Sequence, residues 1–142
     1  MADVFDVAQY ILKKQGAMTA MKLQKLVYYS QAWHTVWAEK ALFRNKIEAW
    51  KDGPVCPTLW KEHASSFMVS KLSHGESAAL TAREKKTINQ VLAFYGKRSA
   101  QWLSDLSHSE DPWLEARRGV RAGAPSNNEI TTRAMQEYYH SL

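Results

Sequence analysis

Residues 19–37 read TAMKLQKLVYYSQAWHTVW, and this stretch decides the fold. Leu23, Leu26, Val27, Ser30, Trp33 and Trp37 recur at the three- and four-residue spacing of one helix face. Met21, Tyr28, Tyr29, Ala32 and Val36 cover most of the remaining circumference. A helix apolar on so many sides is buried at the centre of a domain or carries an interface. Thr19 fits its N-cap, because a threonine hydroxyl can accept one of the unsatisfied N–H groups of the first turn.

Working outward, Val4, Val7, Ala8, Ile11 and Leu12 predict a first helix that stops at Gly16. After Leu42-Phe43, the triplet Arg44-Asn45-Lys46 reads as a tight turn. Residues 47–51 read as a short extended segment, since Gly53-Pro54 follows at once. Pro57 suits the first turn of another helix, where its missing N–H costs nothing, and that helix would carry Leu59, Trp60 and Phe67. Residues 68–76 read as a brief strand or loop. Thr81 and Glu84 form a capping box ahead of Ile88, Val91, Leu92 and Tyr95. A short helix through Trp102, Leu103 and Leu106 follows. Asp111-Pro112 then has the N-cap and first-turn pattern of a helix running to Gly119. Residues 119–128 form a flexible loop before a last helix with Met135, Tyr138, Tyr139 and Leu142 on one face. The prediction is a mainly α, single compact helical domain over residues 1–142, with a small β element near residues 42–55 and no added module at either end.

Bulk properties agree with one soluble domain: 142 residues, 45% hydrophobic and 23% charged. No apolar run reaches the roughly 20 residues of a membrane span, and the N-terminus is acidic where a signal peptide would be basic. The lone Cys56 excludes an intrachain disulfide, and the expected compartment is a reducing cytoplasm, bacterial or phage-encoded. The net charge of +5 permits nucleic acid or an acidic protein as partner. Its basic residues come in small groups, several of them at predicted helix ends, where cations favour the C-terminal dipole.

Chemistry-bearing patterns are few. Cys56 lies between Val55 and Pro57 without a nucleophile signature, so a small buried thiol is the better reading. The five histidines and one cysteine show no zinc-ligand spacing. No glycine-rich phosphate loop occurs, and nothing pairs Glu48, Asp52 or Glu62 for acid–base work. No enzyme activity, cofactor or metal is predicted. A helix-turn-helix DNA reader lacks its polar, Arg-rich recognition helix, so nucleic acid is possible but not favoured. The six Trp and six Tyr stand out instead. These side chains bury large area at little entropy cost and dominate binding hot spots, which points to a partner surface.

Residues 21–63, MKLQKLVYYSQAWHTVWAEKALFRNKIEAWKDGPVCPTLWKEH, closely resemble the Panacea antitoxin domain family, also described as SocA-like or GepA-like. The matching positions are Lys22 to Gln31, Leu42-Phe43, and Ala49, Trp50, Gly53, Pro54 and Val55. His108, Pro112 and Trp113 match a later His and Pro-Trp pattern, and the closing EITTRAMQEYY resembles the family's final helix. The resemblance implies a helical antitoxin, common in phage and prophage settings, that neutralises a cognate toxin protein by direct binding. An adaptor delivering its partner to a protease would begin with the same binding event. The expected partner-binding residues are Tyr28, Tyr29, Trp33, Trp37, Phe43, Trp50 and Trp60. Gly53, Pro54, Val55, His34, His108 and Trp113 are expected to be structural, with Trp50 packing the Gly-Pro bend onto the central helix and the two histidines bonded to nearby backbone. Sequence leaves the oligomeric state open.

Overall fold

In the computed structural model, which describes residues 1–142, the predicted central helix is the axis of the molecule. Helix α1 spans Val4–Gln15, strand β1 Met18–Thr19, and the central helix α2 Ala20–Trp37. Strands β2 (Ile47–Trp50) and β3 (Gly53–Val55) lead into α3 (Pro57–His63), β4 (Met68–Val69) and α4 (Ala82–Tyr95). Helices α5 (Ala100–His108) and α6 (Asp111–Ala116), strand β5 (Glu129–Ile130) and helix α7 (Thr132–His140) complete the chain. The Thr19 hydroxyl accepts from Lys22 N–H at 3.2 Å, and the Thr81–Glu84 capping box is formed at the head of α4.

Every residue from Leu23 to Ala32 is buried, because α1, α4, α5, α7 and β3 all pack on α2. A surface helix would show one apolar stripe; this one is apolar nearly all round because protein surrounds it. No helix is long and apolar enough to cross a membrane.

The β element is a three-stranded antiparallel sheet in the order β3-β2-β5. Trp50 lies opposite Gly53, Ala49 opposite Pro54 and Ile47 opposite Ile130. Pro54 can sit in β3 because that strand is at the edge, where a missing N–H breaks no ladder bond. A second pair joins β1 to β4, with Met18 opposite Val69.

Several boundaries differ from the sequence reading. Glu110, not Asp111, is the N-cap of α6, and the helix ends at Ala116 rather than Gly119. Helix α3 stops at His63, so Phe67 lies beyond it and is exposed. Leu142 is exposed past the end of α7. The third strand comes from residues 129–130, outside the segment expected to be β.

Candidate functional site

The aromatic residues divide by type. Tyr10, Tyr28, Tyr29, Tyr95 and Tyr139 are buried, whereas none of the six tryptophans is. Two of the buried hydroxyls share one carboxylate. Tyr29 and Tyr139 donate to the same oxygen, Oε1 of Glu110, at 2.7 and 2.8 Å, and the hydroxyls of Tyr139 and Tyr28 lie 3.0 Å apart. Burial pushes the Glu110 carboxyl above its ordinary range, and the two tyrosine hydrogen bonds oppose that shift. Burial likewise raises Tyr28, Tyr29 and Tyr139, and Tyr95 to about 12. These phenols stay neutral over the physiological range.

Tyr28, Tyr29 and Phe43, expected on a partner surface, therefore belong to the core. The two tyrosines bridge α2 to α6 and α7, and Phe43 lies under the loop after α2. Trp33 and Trp37 stack at 5.1 Å near the C-terminal end of α2, where Trp33 Nε1 donates to the Tyr95 hydroxyl at 2.9 Å. Trp37 is partly exposed there. Trp50 and Trp60 lie elsewhere and meet edge-to-face, with ring centroids 5.4 Å apart. The seven residues do not form one surface.

Polar side chains of α2 hold the neighbouring loops by their backbone. Gln31 Oε1 accepts from Leu42 N–H at 2.6 Å, and its Nε2 donates to the Phe43 carbonyl at 2.8 Å. Two turns earlier, Gln24 Oε1 accepts from Cys56 N–H at 2.9 Å while Nε2 donates to the Cys56 carbonyl at 3.3 Å. Between them, the Lys25 ammonium donates to the Pro54 carbonyl at 3.3 Å. The Gly-Pro bend is thus pinned to α2 by Lys25, and not by Trp50 as the sequence reading had it. Gly53 has a φ of +123° and its missing Cβ leaves room for this pin: a Cβ would sit 2.5 Å from Lys25 Cε. From the other side, the Ser104 hydroxyl donates to the Asp52 carbonyl at 2.7 Å, and Trp113 Nε1 donates to the Trp50 carbonyl at 2.8 Å. Arg117 adds a bond to the Ala49 carbonyl at 2.9 Å.

This pinned frame encloses a groove of about 790 Å³. Ala20, Met21, Gln24 and Lys25 form its floor, Trp50 to Asp52 of the hairpin one flank, and Trp60 and His63 of α3 the other. Pro125, Ser126 and Asn127 of the loop before β5 close the rim. Trp60 is 40% exposed and Met21 39%, so large apolar surface faces solvent here. Exposed Phe67 and Met68 lie alongside, since Ala20 N–H donates to the Phe67 carbonyl at 2.9 Å. Cys56 is buried behind α3, and burial pushes its thiol up, away from the reactive thiolate.

His34, His63 and His108 are neutral packing groups. His34 Nδ1 lies 2.8 Å from the Thr87 hydroxyl of α4, so its partner is a side chain rather than the backbone expected. His108 stacks on Trp113 at 4.2 Å. His63 Nε2 lies 2.9 Å from Gln24 Nε2. The Cys56 backbone fixes the orientation of that amide, so His63 Nε2 is the acceptor and the proton sits on Nδ1.

Burial lowers the pKa of all three imidazoles below the ordinary 6.5. The unfolded chain therefore binds protons before the folded one as pH falls. Their contribution is complete above about pH 6.5 and is lost as pH drops toward the folded values. Glu110, raised in the fold, protonates there first at lower pH and partly offsets the loss. A thermal melt series should show Tm falling from pH 7 to pH 5.5, with a shallower slope in His63→Gln. A Tm that is flat or rising over that interval contradicts this assignment.

Comparison with known proteins places the chain. Residues 23–114 match the family described as Antitoxin SocA-like, Panacea domain, which covers the central helix, the pinned hairpin, the groove flanks and the start of α6. A small helical domain with an aromatic groove and an antitoxin-like sequence is the class defined here. The chain belongs to the SocA-like antitoxin, Panacea domain family. No curated protein and no solved structure matched it.

The sequence reading found Trp50 and Trp60 but missed Met21, Lys25 and His63 as neighbours of the groove. A lysine and a glutamine inside an otherwise apolar helix were the available signal, because buried polar groups need partners.

Proposed function

We propose that this protein is an antitoxin, acting in the cytoplasm as a single domain, that neutralises a cognate toxin protein by binding it directly through the Trp50–Trp60 groove. The observation that carries this reading is the placement of exposed Trp60 and Met21 around a groove whose backbone is fixed by buried hydrogen bonds. Rigid aromatic anchors on a preorganised frame lose little entropy on association. Membership of an antitoxin-like family supports a protein as the partner. Met21, Trp60, Phe67 and Met68 supply the apolar centre of an interface of standard size, about 1,600 Å² in total.

Co-expression with the product of the adjacent reading frame tests it. The expected result is growth rescue and a stable complex on co-purification. Trp60→Ala should leave Tm within about 1 °C of wild type, because the side chain is partly exposed, while weakening the complex by about 2 kcal/mol or more. Rescue that is indifferent to Trp60→Ala would place the interface elsewhere. A neighbour that is harmless alone and forms no complex would remove the antitoxin reading.

A further inference from the structure

The groove floor contains a charge that the fold leaves poorly compensated. Lys25 is only 1% exposed, yet its ammonium makes a single hydrogen bond, the 3.3 Å contact to the Pro54 carbonyl. An ammonium has three N–H donors, and a buried one is normally matched by a carboxylate at ion-pair distance. No carboxylate lies within 4.0 Å of it. Asp52 draws on its charge from farther away but is itself exposed, and Glu48 Oε1 is engaged by Trp50 Nε1 at 2.9 Å. His108, the other titratable group near it, is kept neutral by burial and by the lysine itself. Lys51 completes the groove's charges and is exposed, so of the charged side chains Lys25 alone is buried.

A carboxylate entering the groove alongside the Trp50–Trp60 pair would approach that buried ammonium where water is scarce and attraction is strong. The same entry brings apolar neighbours against Met21 and the two indole rings. The strain-tolerant Gly53 and the Ser104 and Trp113 contacts hold the bend that positions Lys25, so the charge is presented by a rigid frame.

We infer that the groove takes an extended segment of the partner protein in which an Asp or Glu, flanked by apolar residues, pairs with Lys25. This deepens the groove-binding reading and rests on it. The chemistry selects an acidic-apolar peptide over a basic or purely apolar one.

Panning a random linear peptide library displayed on phage against the full chain tests the inference without knowledge of the toxin. The wild type should enrich sequences with one acidic residue at a fixed position beside aliphatic or aromatic residues. Lys25→Met should weaken the best synthetic peptide about 30-fold, the usual consequence of leaving one member of a buried charge pair alone. Its Tm should fall by no more than a few degrees, because removing a desolvated charge offsets the loss of the bond to the Pro54 carbonyl while Ser104 and Trp113 still hold the hairpin. Changing the acidic residue of the peptide to its amide should lose a similar factor against wild type and little more against Lys25→Met. That arm needs no protein variant to fold. Peptides without an acid, or equal binding by Lys25→Met, would overturn the lysine pairing, while loss of binding in Trp60→Ala would still uphold the groove. Failure to enrich any sequence, or binding indifferent to Trp60→Ala, would remove both.

Discussion

Replacing Glu110 with Ala is expected to cost about 4 kcal/mol of unfolding free energy, with Glu110→Gln costing under about 1 kcal/mol. The difference follows from one atom. Oε1 of Glu110 accepts from both Tyr29 and Tyr139, so Ala leaves two buried hydroxyls short of their acceptor. Each orphaned group costs about 1–3 kcal/mol, and the lost side chain adds a cavity. Those hydroxyls belong to α2 and α7, and Glu110 caps α6, so three elements lose their common tie. Gln keeps an oxygen able to accept both bonds and removes a carboxylate whose charged form burial disfavours. Urea unfolding at pH 7 measures both variants. In the Glu110→Ala background, Tyr29→Phe should cost less than in wild type, since the hydroxyl it removes is already unpaired. A loss below about 1 kcal/mol for Glu110→Ala would show that the hydroxyls find other partners.

Much of the fold was legible because its signals are local. Thr19, the Thr81–Glu84 box and Pro57 all act within one turn of their own position, and each starts a helix where the chain says it should. The two-residue strands β1 and β5 were not legible, and β4 only as a brief strand or loop within residues 68–76, since two residues carry no period and their pairing is set by distant partners. Glu110 illustrates the same limit. Beside Asp111-Pro112 it looks like an incidental residue before a helix, and only the approach of Tyr29 and Tyr139, 81 and 29 positions away, makes it a core carboxylate. The site was half legible for a related reason. Composition marks Trp and Tyr alike as binding residues, but a buried phenol needs only one acceptor to be satisfied, and Glu110 supplies it. The larger indoles stay nearer the periphery, three of them with their N–H groups bonded there, and Trp60 is available to a partner.

Gln24→Ala and Gln31→Ala should each destabilise the fold by about 3 kcal/mol, but only the first should also impair partner binding. The two side chains do equivalent work at different places. Gln31, 1% exposed, holds the backbone of Leu42 and Phe43, so its loss leaves buried main-chain groups without that partner. Gln24, 3% exposed, holds Cys56 N–H and His63 Nε2. Cys56 is the N-cap of α3 and His63 its last residue, so Gln24 grips both ends of the helix that carries Trp60. Freed from that grip, α3 shifts relative to the hairpin and the Trp50–Trp60 pair loses its fixed geometry, which is the preorganisation that binding depends on. Met at either position separates lost hydrogen bonds from lost volume: it fills the space without bonding, and it should recover less than half of the stability in both cases. Affinity for the co-expressed partner, measured at a temperature where each variant is fully folded, should fall about tenfold for Gln24→Ala and stay within about twofold for Gln31→Ala. Equal affinities would mean that α3 keeps its place without Gln24, and that the groove's geometry is set by the hairpin pins of Lys25, Ser104 and Trp113 alone.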